Sequence, residues 1–179
     1  MKRKEFIKTT GIAAASIALQ GSSDILALFA SHTLKVGIIG VGLRGQDHLE
    51  LLLKRDDVEV AVICDIDQRM INLADKIIST SRKPRPEVVT GDEQAWRKVF
   101  DYKGLDAVII ATPWEWHTPM ILYALESGIK YVATEVVLGI SLEDHWKVVR
   151  AAEKNQAQAM MLENVCYRRD VLAILNMIR

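Results

Sequence analysis

Hydrophobic and polar positions alternate in blocks along this chain, and the blocks switch period. The run "LKVGIIG" (34–40) is short, apolar and β-branched, and it ends in glycine. Leu49 to Leu53 lie on the helical stretch that follows. "VEVAVICD" (58–65) is a second strand; "QRMINLADKIIST" then reads as a helix with Met70, Leu73, Ala74 and Ile77 on one face. "SRKPRPEVVTG" is a proline-broken basic loop, and "EQAWRKVF" a short helix. "LDAVIIAT" (105–112) is an apolar strand, and the helix after it runs to about Ser127, with Gly128 at the position that closes helices. "KYVATE" (130–135) is the next strand, and Ser141 caps a helix over "SLEDHWKVVRAAEKN". "AQAMMLEN" (157–164) is the last strand, and "YRRDVLAILNMIR" starts a helix that stops uncapped at Arg179, as a break within a longer pattern would.

Strands that alternate with helices, several apolar throughout, predict an α/β fold: a doubly wound parallel sheet covered on both faces. Ligands of such sheets bind beyond the carboxyl ends of the strands. Three chemistry-bearing stretches fall there: "PWEWH", "TEVV" and "ENVCYRR".

Composition narrows the classes. The 179 residues are 50% hydrophobic with 23 basic and 23 acidic side chains, enough for one well-cored domain. A formal net charge of zero gives no electrostatic reason for nucleic acid, and no basic block interrupts the regular part. Cys64 and Cys166 lack metal-ligand spacing and read as two buried or semi-buried thiols without a bridge. His32, His48, His117 and His145 are scattered without a ligand pattern, so no metal is expected. Trp96 and Trp146 sit on helix faces and read as core.

Residues 1–33 differ in kind. Cationic "MKRKEFIK" precedes the short apolar run Gly11 to Leu19, the pattern of an export signal and too short to span a bilayer. "RKEFIK" resembles the twin-arginine motif, with Lys4 where the second arginine would stand, and no clean cleavage site follows. The expectation is an exported protein, periplasmic or secreted; the alternative is an amphipathic N-terminal helix on a cytoplasmic one.

"GVGLRG" places Gly40, Gly42 and Gly45 between the first strand and its helix. Such glycines permit a tight turn, close approach to a pyrophosphate and close helix–strand packing, and the helix N-terminus offers free N–H groups to the phosphates. Twenty residues after Gly45 comes Asp65, placed to accept from the adenosine ribose hydroxyls and to favour NAD over NADP. Arg44 reaches a phosphate or stays a solvated surface charge. His48 packs or caps its helix, or touches the cofactor.

"GVGLRGQDH", "ATPWEWHTP", "GIKYVATEV" and "LENVCYRRD" together resemble the N-terminal half of the Gfo/Idh/MocA oxidoreductase-like family, and within it glycoside hydrolase family 109, the NAD-dependent α-N-acetylgalactosaminidases. The likeness covers 34–179. It implies a Rossmann-type NAD-binding domain over 34–165, with 166–179 opening an α/β open-sheet domain that would lie beyond Arg179. Leu43, Arg44, Trp114, Glu115, Trp116, His117, Glu135, Val136 and Asn164 match the family's cofactor contacts. Two indoles at the lip of a strand would pack against the dinucleotide and help retain it; one of them could instead pack against the neighbouring helix.

Sugar dehydrogenases of this superfamily carry Glu-Lys-Pro where this chain reads Glu135-Val136-Val137. Valine exchanges no proton, so that acid–base role falls elsewhere. The hydrolase resemblance implies another use of the cofactor: oxidation at the sugar C3, elimination of the α-linked group after loss of the C2 proton, water addition, and re-reduction. No flanking carboxylate pair is needed. Tyr167, beside Arg168 and Arg169, is the acid–base candidate near C2; otherwise it packs at a helix start with the arginines paired to Asp170. The resemblance implies a small glycoside substrate, no membrane span, and homo-oligomers formed through the further domain. Alternatives are an NAD-dependent sugar dehydrogenase and a non-catalytic nucleotide-binding module; residues 1–179 alone are expected to bind NAD without turnover.

Overall fold

A computed structural model describes residues 33–178. Six parallel strands form one sheet in the order β3-β2-β1-β4-β5-β6. They are β1 (Leu34–Ile39), β2 (Val58–Cys64), β3 (Glu87–Val89), β4 (Ala107–Ile110), β5 (Tyr131–Thr134) and β6 (Gln158–Met161). The helices are α1 (Leu43–Leu53), α2 (Gln68–Thr80), α3 (Trp114–Glu126), α4 (Leu142–Lys154) and α5 (Arg169–Met177), with 3-10 turns at Ala95–Asp101 and Asn164–Tyr167. The expected doubly wound sheet is therefore present, and its order reverses between β1 and β4, where such sheets open a crevice.

Why the strands read as unbroken apolar runs is clear from the two cores. Ile38, Val60 and Ile63 point to one face, where Leu49 and Leu53 of α1 and Ile71, Ala74 and Ile78 of α2 cover them. Ile39, Val62, Cys64, Val108 and Ile110 point to the other, under Met120, Ile121, Ala124 and Leu125 of α3, Val148 of α4, and Trp96 and Val99 of the first 3-10 turn. A strand buried on both sides has no polar alternate to display.

Helix ends follow their local chemistry. Ser141 Oγ accepts from Asp144 N at 3.1 Å and caps α4. Gly128 takes φ +87° after α3; its N–H donates to Leu125 O and that of Ile129 to Ala124 O, so two end carbonyls are satisfied.

Several expectations need correction. The basic loop contains a strand, β3, paired with β2. The buried face of α2 is Ile71, Ala74 and Ile78; Met70 and Ile77 flank it and Leu73 is exposed. Trp146 is exposed on α4, and Cys166 is exposed while Cys64 is buried; both thiols are free. The export-signal stretch lies outside the described residues. Among those described, no helix is long and apolar enough to cross a membrane and no cluster could hold a metal ion.

Candidate functional site

The turn after β1 is built by exclusion. At Gly45 a Cβ would stand 1.9 Å from Gly40 O, so only glycine lets α1 start this close to the strand. Gly40, at φ +87°, would set a Cβ 2.5 Å from Ala111 O at the end of β4. Gly42 is the opposite case: a Cβ there would meet nothing within 4 Å. Two glycines are thus needed for packing, and the third presents bare backbone to an open space at the start of α1, which suits a pyrophosphate approaching the helix N-terminus.

Asp65 does more than the spacing predicts. Its Oδ2 accepts from Val41 N at 2.8 Å and its Oδ1 from Asp67 N at 2.9 Å. The carboxylate therefore ties the glycine turn to the loop that starts α2, which Asp67 caps by accepting from Arg69 N. Each oxygen keeps a second lone pair, so a ribose hydroxyl can still donate to it.

A cavity of about 440 Å³ opens at the reversal of strand order. Gly40, Gly42 and Asp65 line it on the β1–β2 side, and Trp96, Glu115 and Trp116 on the other. Trp96 was expected as core and is buried to 3% exposure, yet it also forms the cavity wall, and its indole N–H has no partner. Its ring meets Tyr123 and Phe100 edge-on, at centroid distances of 5.2 and 6.2 Å.

The two lip tryptophans part company. Trp116 lines the cavity and packs on the core, whereas Trp114 is 62% exposed and faces a hollow between α3 and α4, beside Ile140 and Lys147. His117 is fully buried. Its Nδ1 lies 2.6 Å from Val137 O and its Nε2 2.7 Å from Thr112 O, so the ring pins the end of β4 to the loop after β5. A buried ring so engaged offers no atom to a ligand, and the contribution of His117 to a bound group is confined to its backbone and to the placement of its neighbours.

Arg44, His48 and Glu135 converge. Glu135, at the end of β5, is 8% exposed. His48 Nε2 donates to its Oε1 at 2.6 Å, and Arg44 Nη2 to the same oxygen at 3.1 Å. Arg44 Nη1 also donates to Asp47 at 2.9 Å. The charge of Glu135, ahead of the bonds to Asp47 and Glu135, pushes the Arg44 guanidinium above its already high ordinary range. Arg44 is therefore half-exposed yet tied to two carboxylates, and the partner of His48 is a residue 87 positions away. Val136 follows Glu135 and joins Val137 through a cis peptide.

Leu43 is exposed at the start of α1. Asn164 and Tyr167 sit on the exposed 3-10 turn after β6, with Tyr167 at 70% exposure. They share the carboxyl edge of the sheet but do not line the 440 Å³ cavity, and Tyr167 is not packed at a helix start. Arg168 pairs with Asp170 at 2.6 Å.

Residues 34–163 match the oxidoreductase family with an NAD-binding Rossmann fold, Gfo/Idh/MocA. The chain belongs to this family. NAD is its cofactor, and the glycine turn, the open space over Gly42 and the remaining acceptor capacity of Asp65 fit that group.

Two curated relatives of this family member are a glycosyl hydrolase family 109 protein of Stenotrophomonas maltophilia, 42% identical over 181 residues, and an alpha-N-acetylgalactosaminidase of Shewanella oneidensis, 36% identical over 195. The match takes 100% and 99% of this chain but 39% and 42% of those proteins, so the chain spans about two-fifths of their length. Among solved structures, an oxidoreductase of Agrobacterium radiobacter in complex with NAD+ superposes with a TM-score of 0.67 at 23% identity over 82% of this chain and 40% of that one. A scyllo-inositol dehydrogenase of Lactobacillus casei gives 0.69 at 19% identity over 82% and 41%. At such identities these two establish the fold.

Proposed function

We propose that this chain is the NAD-binding portion of a glycosidase that cleaves α-N-acetylgalactosaminides through transient oxidation at the sugar C3. The observation that carries the reading is the pairing of a complete dinucleotide turn with Val136, a side chain that moves no proton, at the position after Glu135. The relatives named as family 109 proteins support it.

Bound NAD supplies the two-electron step, and the chain's own residues orient it. Gly42 and Leu43, at the start of α1, would give backbone N–H groups to the phosphates and Asp65 would take the ribose, while Trp116 with Trp96 walls the cavity. Glu135, held by His48, presents an acceptor near the carboxyl end of β5. Tyr167 is the proposed acid–base group beside the sugar C2. The redox-neutral cycle needs no carboxylate pair across the glycosidic bond.

Residues 1–179 are expected to bind NAD+ and to release no aryl group from an aryl α-N-acetylgalactosaminide. A chimera in which they replace the matching part of the Stenotrophomonas relative is expected to release aryl over many turnovers with no net NADH. NADH accumulating from free sugar, without glycoside cleavage, would sink the glycosidase reading and return the chain to the dehydrogenases of its family.

A further inference from the structure

We propose that His48 is a positioning residue of the cofactor site: by holding Glu135 through its own bond, it leaves Arg44 able to turn from Glu135 to a phosphate at the start of α1. This inference rests on the NAD reading above.

Three facts of geometry carry it. Arg44 and His48 stand four residues apart on α1, hence on one face of the helix, and both reach the same Oε1 of Glu135. Their hold is unequal: the His48 contact is 2.6 Å with a side chain 16% exposed, and the Arg44 contact 3.1 Å with a side chain 49% exposed. Arg44 is also the second residue of α1, next to the backbone that Gly42 leaves open.

Glu135 is too buried to be left without a donor, because an unpaired anion there loses its hydration and gains nothing in return. Were Arg44 its only partner, each phosphate contact Arg44 made would strand that carboxylate, and cofactor affinity would fall accordingly. With His48 in place the exchange trades one charge-assisted bond for another. Asp47, exposed and bonded to the other guanidinium nitrogen, gives Arg44 a pivot. The shared oxygen therefore has a resident donor and a transferable one, and the shorter, better buried bond identifies the resident.

The test is calorimetric titration of NAD+ into the 179-residue chain and into H48A, H48Q, E135Q and the double variant E135Q/H48A. H48A is expected to weaken binding about tenfold, as loss of one charge-assisted contact does, and H48Q, which keeps an N–H donor, to recover it. In the E135Q background, where no buried charge needs a partner, H48A is expected to cost nothing further. Equal losses in both backgrounds would make His48 a packing residue only and overturn the proposal, as would native affinity in H48A. Should H48A not fold, nitrogen NMR of the unmodified chain decides: NAD+ should move the Arg44 side-chain signal while the His48 Nε2 signal keeps its bonded position, and the reverse overturns the inference. A native chain that binds no NAD+ would overturn the cofactor reading and this inference with it; binding without these couplings overturns this inference alone.

Discussion

The corner made by β1, α1 and β2 and the edge made by β6 and α5 are both strand–helix pieces of one sheet, yet they are built differently. At the corner, β1 and β2 are buried along most of their length and backbone meets backbone at Gly40 and Gly45. At the edge, β6 exposes Met160 and Met161, and none of the residues of α5 is buried. The corner is a preformed receptor whose shape packing dictates. The edge carries Asn164 and Tyr167 on a segment whose geometry packing does not fix, so any role of theirs depends on what lies against it.

The sharpest way to break that contrast is inside the glycine turn itself. Gly45→Ala would force a Cβ against Gly40 O at 1.9 Å, with Gly40 C at 2.8 Å behind it. Backbone cannot yield as a side chain can, and the expected loss exceeds about 4 kcal/mol, a large share of a domain's stability, read as a sharp fall in Tm. Gly42→Ala is the control three residues earlier. Its φ of −66° suits alanine and its Cβ meets nothing, so thermal stability should hold or rise slightly while NAD+ affinity drops by about tenfold or more. A Gly42→Ala chain that melts early, or binds NAD+ normally, would mean that the open space is not where the phosphates approach.

Asp65 sharpens the comparison at the next level down. Asp65→Asn weakens the acceptor of two backbone N–H groups, those of Val41 and Asp67, and should cost about 1–3 kcal/mol in denaturant unfolding. The same change removes the charge that opposes a 2′-phosphate, so the ratio of NAD+ to NADP+ affinity should fall toward one. Stability lost with the ratio unchanged would make Asp65 a structural tie and nothing more.

How much of this was legible beforehand follows the same division. The glycine turn and Asp65 could be read because their chemistry is local: a strand, a spacing and a helix start fix what each residue does. The strand β3 has no sequence signature, since periodicity has no purchase on three residues, Glu87–Val89. The sequence places the α2 face one residue out of register because Met70 and Ile77 are apolar too and flank the buried stripe. The bond from His48 to Glu135 has no local signal, because the two residues lie 87 positions apart and no pattern near His48 announces a carboxylate at the end of β5. Trp146 and Cys166 are exposed against expectation for one reason: on the outlying helix and edge, apolar character does not guarantee a covering layer.

The two cysteines give the smallest effect and divide along the same line. Cys64 ends β2 inside the core, and its burial, with the Asp65 charge adding, pushes the thiol up to about 12. Only the thiolate attacks a thiol reagent, and its fraction grows as pH rises toward the pKa; at pH 8 Cys64 lies about four units short and stays protonated. Cys166 is exposed at the edge and meets the reagent freely. Folded chain should therefore take up one label of two at pH 8, with unfolding stability changed by less than about 0.5 kcal/mol, as for a surface substitution without partners. Denaturation should release the second thiol in step with loss of the fold. Two labels taken up by the folded chain would show that the β2 end opens readily, and the contrast between a packed corner and an exposed edge would fail where it is strongest.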